Sequence, residues 1–183
     1  MRVAFLFSTA VACLAAIGGY SVGSSQAVQL QDGTVYFVQP PSLEGAETTY
    51  NDVYVWGATY YFTINLPANA GEPLQRVTIN QHEGVDRIHY NLKDTSATET
   101  GSSHKKHKLA LKDVTSDRTT RTISLTFDPP VPPGRTIKIA LKPEQNPTIP
   151  GVYLFGVTAF PPSEKSHGQF LGYGRLQFYS AHY

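Results

Sequence analysis

The sequence predicts an all-β chain. The expected architecture is a single-domain antiparallel β-sandwich of about eight or nine strands, Ig-like and Greek-key in type, with a β-barrel as the alternative. Three observations predict it. Short runs alternate apolar and polar residues with the period of two that a strand imposes. Turn-forming Gly, Pro, Asn and Asp separate these runs at short intervals. All 13 prolines lie beyond residue 39, which argues against long helices there.

The first 27 residues stand apart from that pattern. One cation, Arg2, precedes an apolar run from Val3 to Ile17, and small and polar residues follow, ending Ser25-Gln26-Ala27. This is the three-part layout of a secretory signal peptide with a small-x-small cleavage site. The apolar run is short for a bilayer span, which needs about 20 residues. Residues 1–27 are therefore read as a signal peptide and 28–183 as the β-sandwich domain, with Val28 as the new N-terminus. The only cysteine, Cys13, sits in mid-run after Ala10-Val11-Ala12, not in a Leu-containing lipobox. Residues 28–183 thus carry no cysteine, which excludes disulfides, thiolate metal sites and cysteine nucleophiles.

From Val28 to Val38, apolar residues alternate around Asp32-Gly33, a hairpin-turn dipeptide, and Pro40-Pro41 stop the second strand. Ser42 to Gly57 reads as mixed, with turns at Glu44, Gly45 and Asn51-Asp52. Thr59 to Leu66 is the cleanest alternation, with Tyr60, Phe62, Ile64 and Leu66 on one parity. Leu74–Gln81, Arg87–Leu92, Arg121–Phe127 and Thr136–Leu141 repeat the pattern, each with polar residues on the other parity. One wet face and one dry face is what antiparallel sheets require.

Between them, Asp94 to Lys108 holds one apolar residue, Ala97, and reads as a long exposed loop. Leu109 to Leu111 resumes a short strand. Asp128 to Gly134 is rich in proline and reads as a stiff connector ending in a turn. The run Val152 to Phe160 has no charge and places apolar residues on both parities, so it reads as the most buried strand, covered on both faces. Phe170 to Tyr179 is a last strand whose Gly172 and Gly174 mark close backbone approach.

Charge and composition exclude several functions. Of the 15 Lys and Arg, Arg2 lies in the leader, which leaves as many basic as the 14 acidic side chains. No basic field remains to attract nucleic acid or an anionic membrane. No second apolar run is long enough to span a bilayer. There is no G-x-S-x-G, no phosphate loop and no H-E-x-x-H. Ser166-His167 are adjacent but lack an identifiable acid and oxyanion hole. Glu44 with Glu47, and Asp86 or Glu83, pair as catalytic carboxylates only by guesswork. The chain is read as a non-enzyme with no cofactor.

Two clusters remain. His104-Lys105-Lys106-His107-Lys108 offers two imidazoles for copper or zinc, with His82 and His89 elsewhere. Three lysines repel a divalent cation there, and strand geometry would send His104 and His107 to opposite faces, so a solvated loop is the better reading. Aromatic residues crowd between Tyr50 and Tyr61. Tyr60 belongs to the core by parity, whereas Tyr54, Trp56 and Tyr61 are the candidate ligand-binding residues, because flat aromatic faces stack on sugars or on a partner protein.

Several runs also carry a resemblance: Trp56-Gly57-Ala58-Thr59-Tyr60-Tyr61-Phe62, Ala70-Gly71-Glu72-Pro73-Leu74-Gln75-Arg76-Val77, Phe127-Asp128-Pro129-Pro130-Val131-Pro132-Pro133-Gly134, Gly151 to Phe160, and Ser166-His167-Gly168-Gln169-Phe170-Leu171-Gly172. In this order they resemble the exported cyanobacterial proteins of domain-of-unknown-function family 2808, over about Leu30 to Tyr179. The resemblance implies an exported cyanobacterial protein and carries over no catalytic or ligand residues. The expected function is a non-catalytic binding or structural module of the cell envelope, periplasmic, extracellular or in the thylakoid lumen, with an envelope protein or a polysaccharide as partner. Its rivals are an envelope metal-binding protein and a hydrolase with an unrecognised site.

Overall fold

A computed structural model describes residues 28–29, 33–100 and 106–180. Residues 1–27, Cys13 among them, and His104 lie outside the described residues. Twelve strands run in chain order: β1 (Val28–Gln29), β2 (Val35–Tyr36), β3 (Ser42–Thr48), β4 (Tyr60–Leu66), β5 (Leu74–Glu83), β6 (Ser96–Thr100), β7 (Lys106–Lys108), β8 (Leu111–Asp117), β9 (Thr122–Val131), β10 (Arg135–Leu141), β11 (Gly151–Phe160) and β12 (Gln169–Phe178). One 3-10 turn, Leu92–Asp94, precedes β6. β1 and β2 form a small ribbon, with Gly33 at φ 83° in the link between them. The other strands build two five-stranded antiparallel sheets, ordered β3-β4-β10-β6-β7 and β12-β11-β5-β9-β8. The chain passes from one sheet to the other after β4, β5, β7, β9 and β10, while β3–β4, β6–β7, β8–β9 and β11–β12 are neighbours within a sheet. This is the expected sandwich of Ig-like, Greek-key type, open and not closed into a barrel.

The core lies between the sheets, and parity decides who enters it. Along β4 buried and half-buried residues alternate strictly, with Tyr60, Phe62, Ile64 and Leu66 inside. Their partners on β10 are Leu141, Ile139, Ile137 and Arg135, and the first three of these are buried. On the facing sheet Val77 and Ile79 of β5 sit between Leu125 and Ile123 of β9 and Ala159 and Val157 of β11. Gly174 of β12 faces this core. A Cβ there would stand 2.7 Å from the Ala46 methyl and 3.0 Å from the Phe62 ring. Only glycine lets β12 close against β3 and β4 at that point.

Five sequence expectations are corrected. The Val152–Phe160 strand exists as β11, but it is not covered on both faces. Tyr153, Phe155, Val157 and Ala159 are buried, whereas Val152 is 38% exposed and Leu154 and Phe160 are half-buried. A two-layer sandwich covers each sheet once, so the apolar outer residues are only partly shielded, by Phe170 and Tyr173 of β12 over Gly156. The supposed loop Asp94–Lys108 contains β6 and β7, paired through Thr98–Lys108, Glu99–His107 and Thr100–Lys106. A polar strand beside the sheet edge needs only its ladder and one anchor, here the buried Ala97, and apolar patterning cannot reveal it. Ser42–Thr48 is a strand with a bulge at Glu44, where the register shifts between Leu43 and Gly45; the turn signal there reported the bulge. Arg87–Leu92 is not a regular strand: one bridge joins Tyr90 to Pro143, and the 3-10 turn follows. The proline-rich connector also begins later than read, because β9 continues to Val131. Gly134, at φ 79°, makes the turn into β10.

Candidate functional site

One end of the sandwich carries the segment that follows β3, residues 49–59, and the segment that follows β10, residues 142–150. They are tied together by a buried amide. Asn146 is 2% exposed. Its Nδ2 donates to the carbonyls of Tyr50 (3.0 Å) and Asp52 (2.8 Å), its Oδ1 accepts from the Tyr60 hydroxyl (2.9 Å), and its backbone amide donates to Val55 (2.8 Å). Burial, reinforced by Tyr90 and Tyr153, pushes the Tyr60 hydroxyl above its ordinary pKa, so it remains a neutral donor. Further bonds complete the clamp: the Tyr54 amide donates to Pro147 (3.1 Å), and Gln145 Nε2 donates to the Tyr54 carbonyl (3.0 Å). Trp56 bridges Gln145. Tyr54 adopts φ 61°, a left-handed conformation that costs a non-glycine residue energy and that the clamp overdetermines. The outcome is a fixed loop that presents Trp56 (71% exposed) and Tyr54 (58% exposed) to solvent.

Below Trp56 runs a groove made of two adjoining clefts of about 340 and 310 Å³. Both are lined by Arg87, Ile88, His89 and Glu144. Trp56 and Gln145 line the first; Asp117, Arg118 and Arg121, from the β8–β9 turn, line the second. The wall formed by residues 86–88 is fixed from beneath. Gln81, buried on β5, donates to the Asp86 carbonyl (2.5 Å) and accepts from the Ile88 amide (3.0 Å). The Gln81 backbone N–H in turn donates to the Arg121 carbonyl (3.0 Å), which joins the two walls.

The aspartates of this groove accept hydrogen bonds from the backbone around them. Asp86 Oδ2 accepts from the Thr148 amide (2.6 Å), the Thr148 hydroxyl (2.7 Å) and the Ile149 amide (3.1 Å). Desolvation acts to raise its pKa, but these bonds outweigh that and hold it below the usual Asp value. Asp117 is lowered by bonds from the Thr120 side chain and from the Thr119 and Thr120 amides. A glycosidase acid has a raised pKa, the opposite direction, and the bonds themselves show these two carboxylates as turn and loop acceptors.

The remaining candidates lie elsewhere. Tyr61 is half-buried on the outer face of β4 under Lys138, whose Nζ is 4.6 Å from the ring centroid. None of the ring contacts among the described residues joins it to Tyr54 or Trp56. His107 lies on β7 opposite Glu99. Among the described residues no group of three or more His, Cys, Asp and Glu is placed to hold a metal. Arg87, Arg118 and Arg121 were missed from sequence, since only folding brings them together. A second aromatic surface was missed as well, on the outer face of β5, β11 and β12. There His82 packs on Tyr173 (4.9 Å), Tyr173 on Phe170 (5.1 Å), and the Arg76 guanidinium lies 4.1 Å over Phe160. Its signal was Gly172, at φ 113°, where the register shift between Val157 and Thr158 puts Phe170 and Tyr173 on one face.

Over residues 34–178 the chain matches the family described as "Protein of unknown function (DUF2808)". The chain belongs to this family. None of the curated proteins compared matches it. Among solved structures, the group B streptococcus pilus 2b backbone protein is similar at 12% identity and a TM-score of 0.45, over 70% of this chain and 56% of that one. The 35 kDa C-terminal fragment of the major pilin of Streptococcus agalactiae is similar at 10% identity and 0.49, over 76% and 56%. The collagen-binding domain from a Staphylococcus aureus adhesin is similar at 15% identity and 0.39, over 68% and 89%. The chain thus spans just over half of the two pilus proteins. Among the described residues no helix is long and apolar enough to cross a membrane.

Proposed function

We propose that this member of the family is an exported, non-catalytic module of the cell envelope that binds a polysaccharide or a protein through the groove beneath Trp56. The observation that carries this reading is Trp56 itself. A tryptophan 71% exposed on a loop that a buried amide holds rigid is a stacking face prepared in advance. Aromatic anchors dominate binding energies at interfaces.

Trp56 is the only tryptophan in the chain, so its fluorescence reports on this site alone. Titrating the protein with polysaccharide extracted from its native envelope should shift or quench that emission. Trp56→Ala should weaken binding by about 2 kcal/mol, the range of an aromatic anchor, without lowering the melting temperature. A polymer that binds while Trp56 emission stays constant would place the site elsewhere.

Export rests on the leader pattern of residues 1–27. N-terminal sequencing of the protein recovered from the envelope should begin at Val28, within a residue. Recovery of a membrane-bound form that still begins at Met1 would overturn it.

A further inference from the structure

We infer that the groove selects acidic polysaccharides, sugar polymers bearing carboxylate or sulfate groups, and that Arg87, Arg118 and Arg121 read the acidic groups. This inference rests on the binding role proposed for the Trp56 groove. Three arginines line one cleft there, from two distant parts of the chain, the wall after β5 and the β8–β9 turn. Among the described residues the ion pairs are Arg135–Glu99 and Lys138–Glu47, and none of the three arginines takes part in an ion pair or a side-chain hydrogen bond. Asp117, the acid of the same turn, directs its Oδ1 to the amides of Thr119 (2.8 Å) and Thr120 (3.3 Å). The turn therefore carries arginines that Asp117 does not pair.

The layout fits a sugar acid better than a bare anion. One cleft carries the Trp56 indole and Gln145, the adjoining one carries Arg118 and Arg121, and Arg87 and Glu144 line both. An indole stacks on the apolar face of a pyranose ring. Glu144 and Gln145 accept hydrogen bonds from hydroxyls, which a simple anion does not offer. A guanidinium forks onto a carboxylate or sulfate with two parallel bonds. Two joined clefts of about 340 and 310 Å³ provide length for successive sugar units. Glu144 and Arg87 line both clefts, whereas Arg118 and Arg121 line only the second, so the acidic groups lie beside Arg118 and Arg121. The Gln81–Arg121 bond fixes the spacing of that end relative to residues 86–88.

The test uses the full chain and three probes: polygalacturonate, dextran sulfate and neutral dextran, followed by Trp56 emission and by affinity electrophoresis. At least one acidic polymer should bind and neutral dextran should not, with affinity falling as salt rises. The double variant Arg87→Ala/Arg118→Ala should weaken acidic-polymer binding about tenfold or more. Both side chains are exposed, so the fold should survive. Arg175→Ala, on the outer face of β12, should leave binding unchanged. Equal loss in Arg175→Ala means diffuse charge attraction and overturns the inference. So does inorganic sulfate that competes at the same molar concentration as polymer-borne sulfate. If neutral dextran binds as well as the acidic polymers and the arginine variants match the wild type, the inference fails while the binding role stands. If Trp56→Ala and the wild type alike bind none of the three polymers, the inference fails too; binding of native envelope polysaccharide to the wild type then decides separately whether the groove is a site.

Discussion

Phe155→Ala should lower the stability of the domain by about 3–5 kcal/mol, while Leu154→Ala, its neighbour on the same strand, should cost only about 1 kcal/mol. The two side chains leave β11 on opposite faces. Phe155 is 1% exposed and packs its ring against Phe62 (5.6 Å between centroids, nearly perpendicular) and Tyr60 (6.2 Å) of the other sheet. Truncating it removes the ring's burial energy and leaves a cavity between two sheets that their own ladders hold apart. Leu154 is half-buried on the outer face beside Arg175 and Glu83, where water fills the space it vacates. A domain of this size has a total stability of about 5–15 kcal/mol. With no cysteine in residues 28–183, no disulfide supplements it. Urea denaturation of both variants, read as a shift in midpoint at unchanged slope, measures the difference. Equal losses would mean that something covers the outer face of β11 in solution.

The contrast between those neighbours also shows what the sequence could and could not tell. β4 was legible because each of its residues obeys the parity rule: Tyr60, Phe62, Ile64 and Leu66 go in, Tyr61, Thr63 and Asn65 go out. β11 misled because an apolar residue on an outer face looks the same in sequence as one under a second layer. Val152, Leu154 and Phe160 are apolar yet lack a covering layer. β6 and β7 were hidden for the opposite reason, since threonine, serine and lysine form ladders as readily as loops and only Ala97 needed burial. Bulges defeat parity altogether. Phe170 and Tyr173 are three apart and should diverge, but the register shift near Gly172 turns both outward, and a bulge between Gln81 and Glu83 leaves His82 free to meet Tyr173.

At the site, Tyr54 and Trp56 stood out by aromatic crowding within a turn-rich segment. The arginines did not, because Arg87 and Arg118 become neighbours only through β5, β8 and β9 lying side by side in one sheet. The buried amides were silent too. Nothing in Pro143 to Pro150 distinguishes Asn146 from an exposed turn residue, because its role depends on which carbonyls the opposite loop turns toward it.

Asn146→Ala should cost about 2–4 kcal/mol, and the loss should fall on the Trp56 loop as well as on global stability. The substitution removes two donated bonds and one accepted bond at a site 2% exposed to solvent. Each intramolecular bond contributes about 1 kcal/mol net, and a buried group left without a partner costs more than the bond it lost. The Tyr60 hydroxyl is the critical orphan. It lies in the core, where burial already keeps it neutral, and without Asn146 Oδ1 it has lost the one acceptor in its hydrogen bonding. Tyr60→Phe removes that hydroxyl and should cost about 1 kcal/mol alone. In the double variant Asn146→Ala/Tyr60→Phe the orphan no longer exists, so the combined loss should be smaller than the sum of the two single losses. Trp56 supplies the local readout. Its fluorescence anisotropy should fall in Asn146→Ala under native conditions, because the Tyr50 and Asp52 carbonyls lose their anchor. In Tyr60→Phe the anchor remains and anisotropy should match the wild type. Additive losses, or unchanged anisotropy in Asn146→Ala, would show that the loop holds its shape without the buried amide, and the case for a prepared stacking face at Trp56 would fall with it.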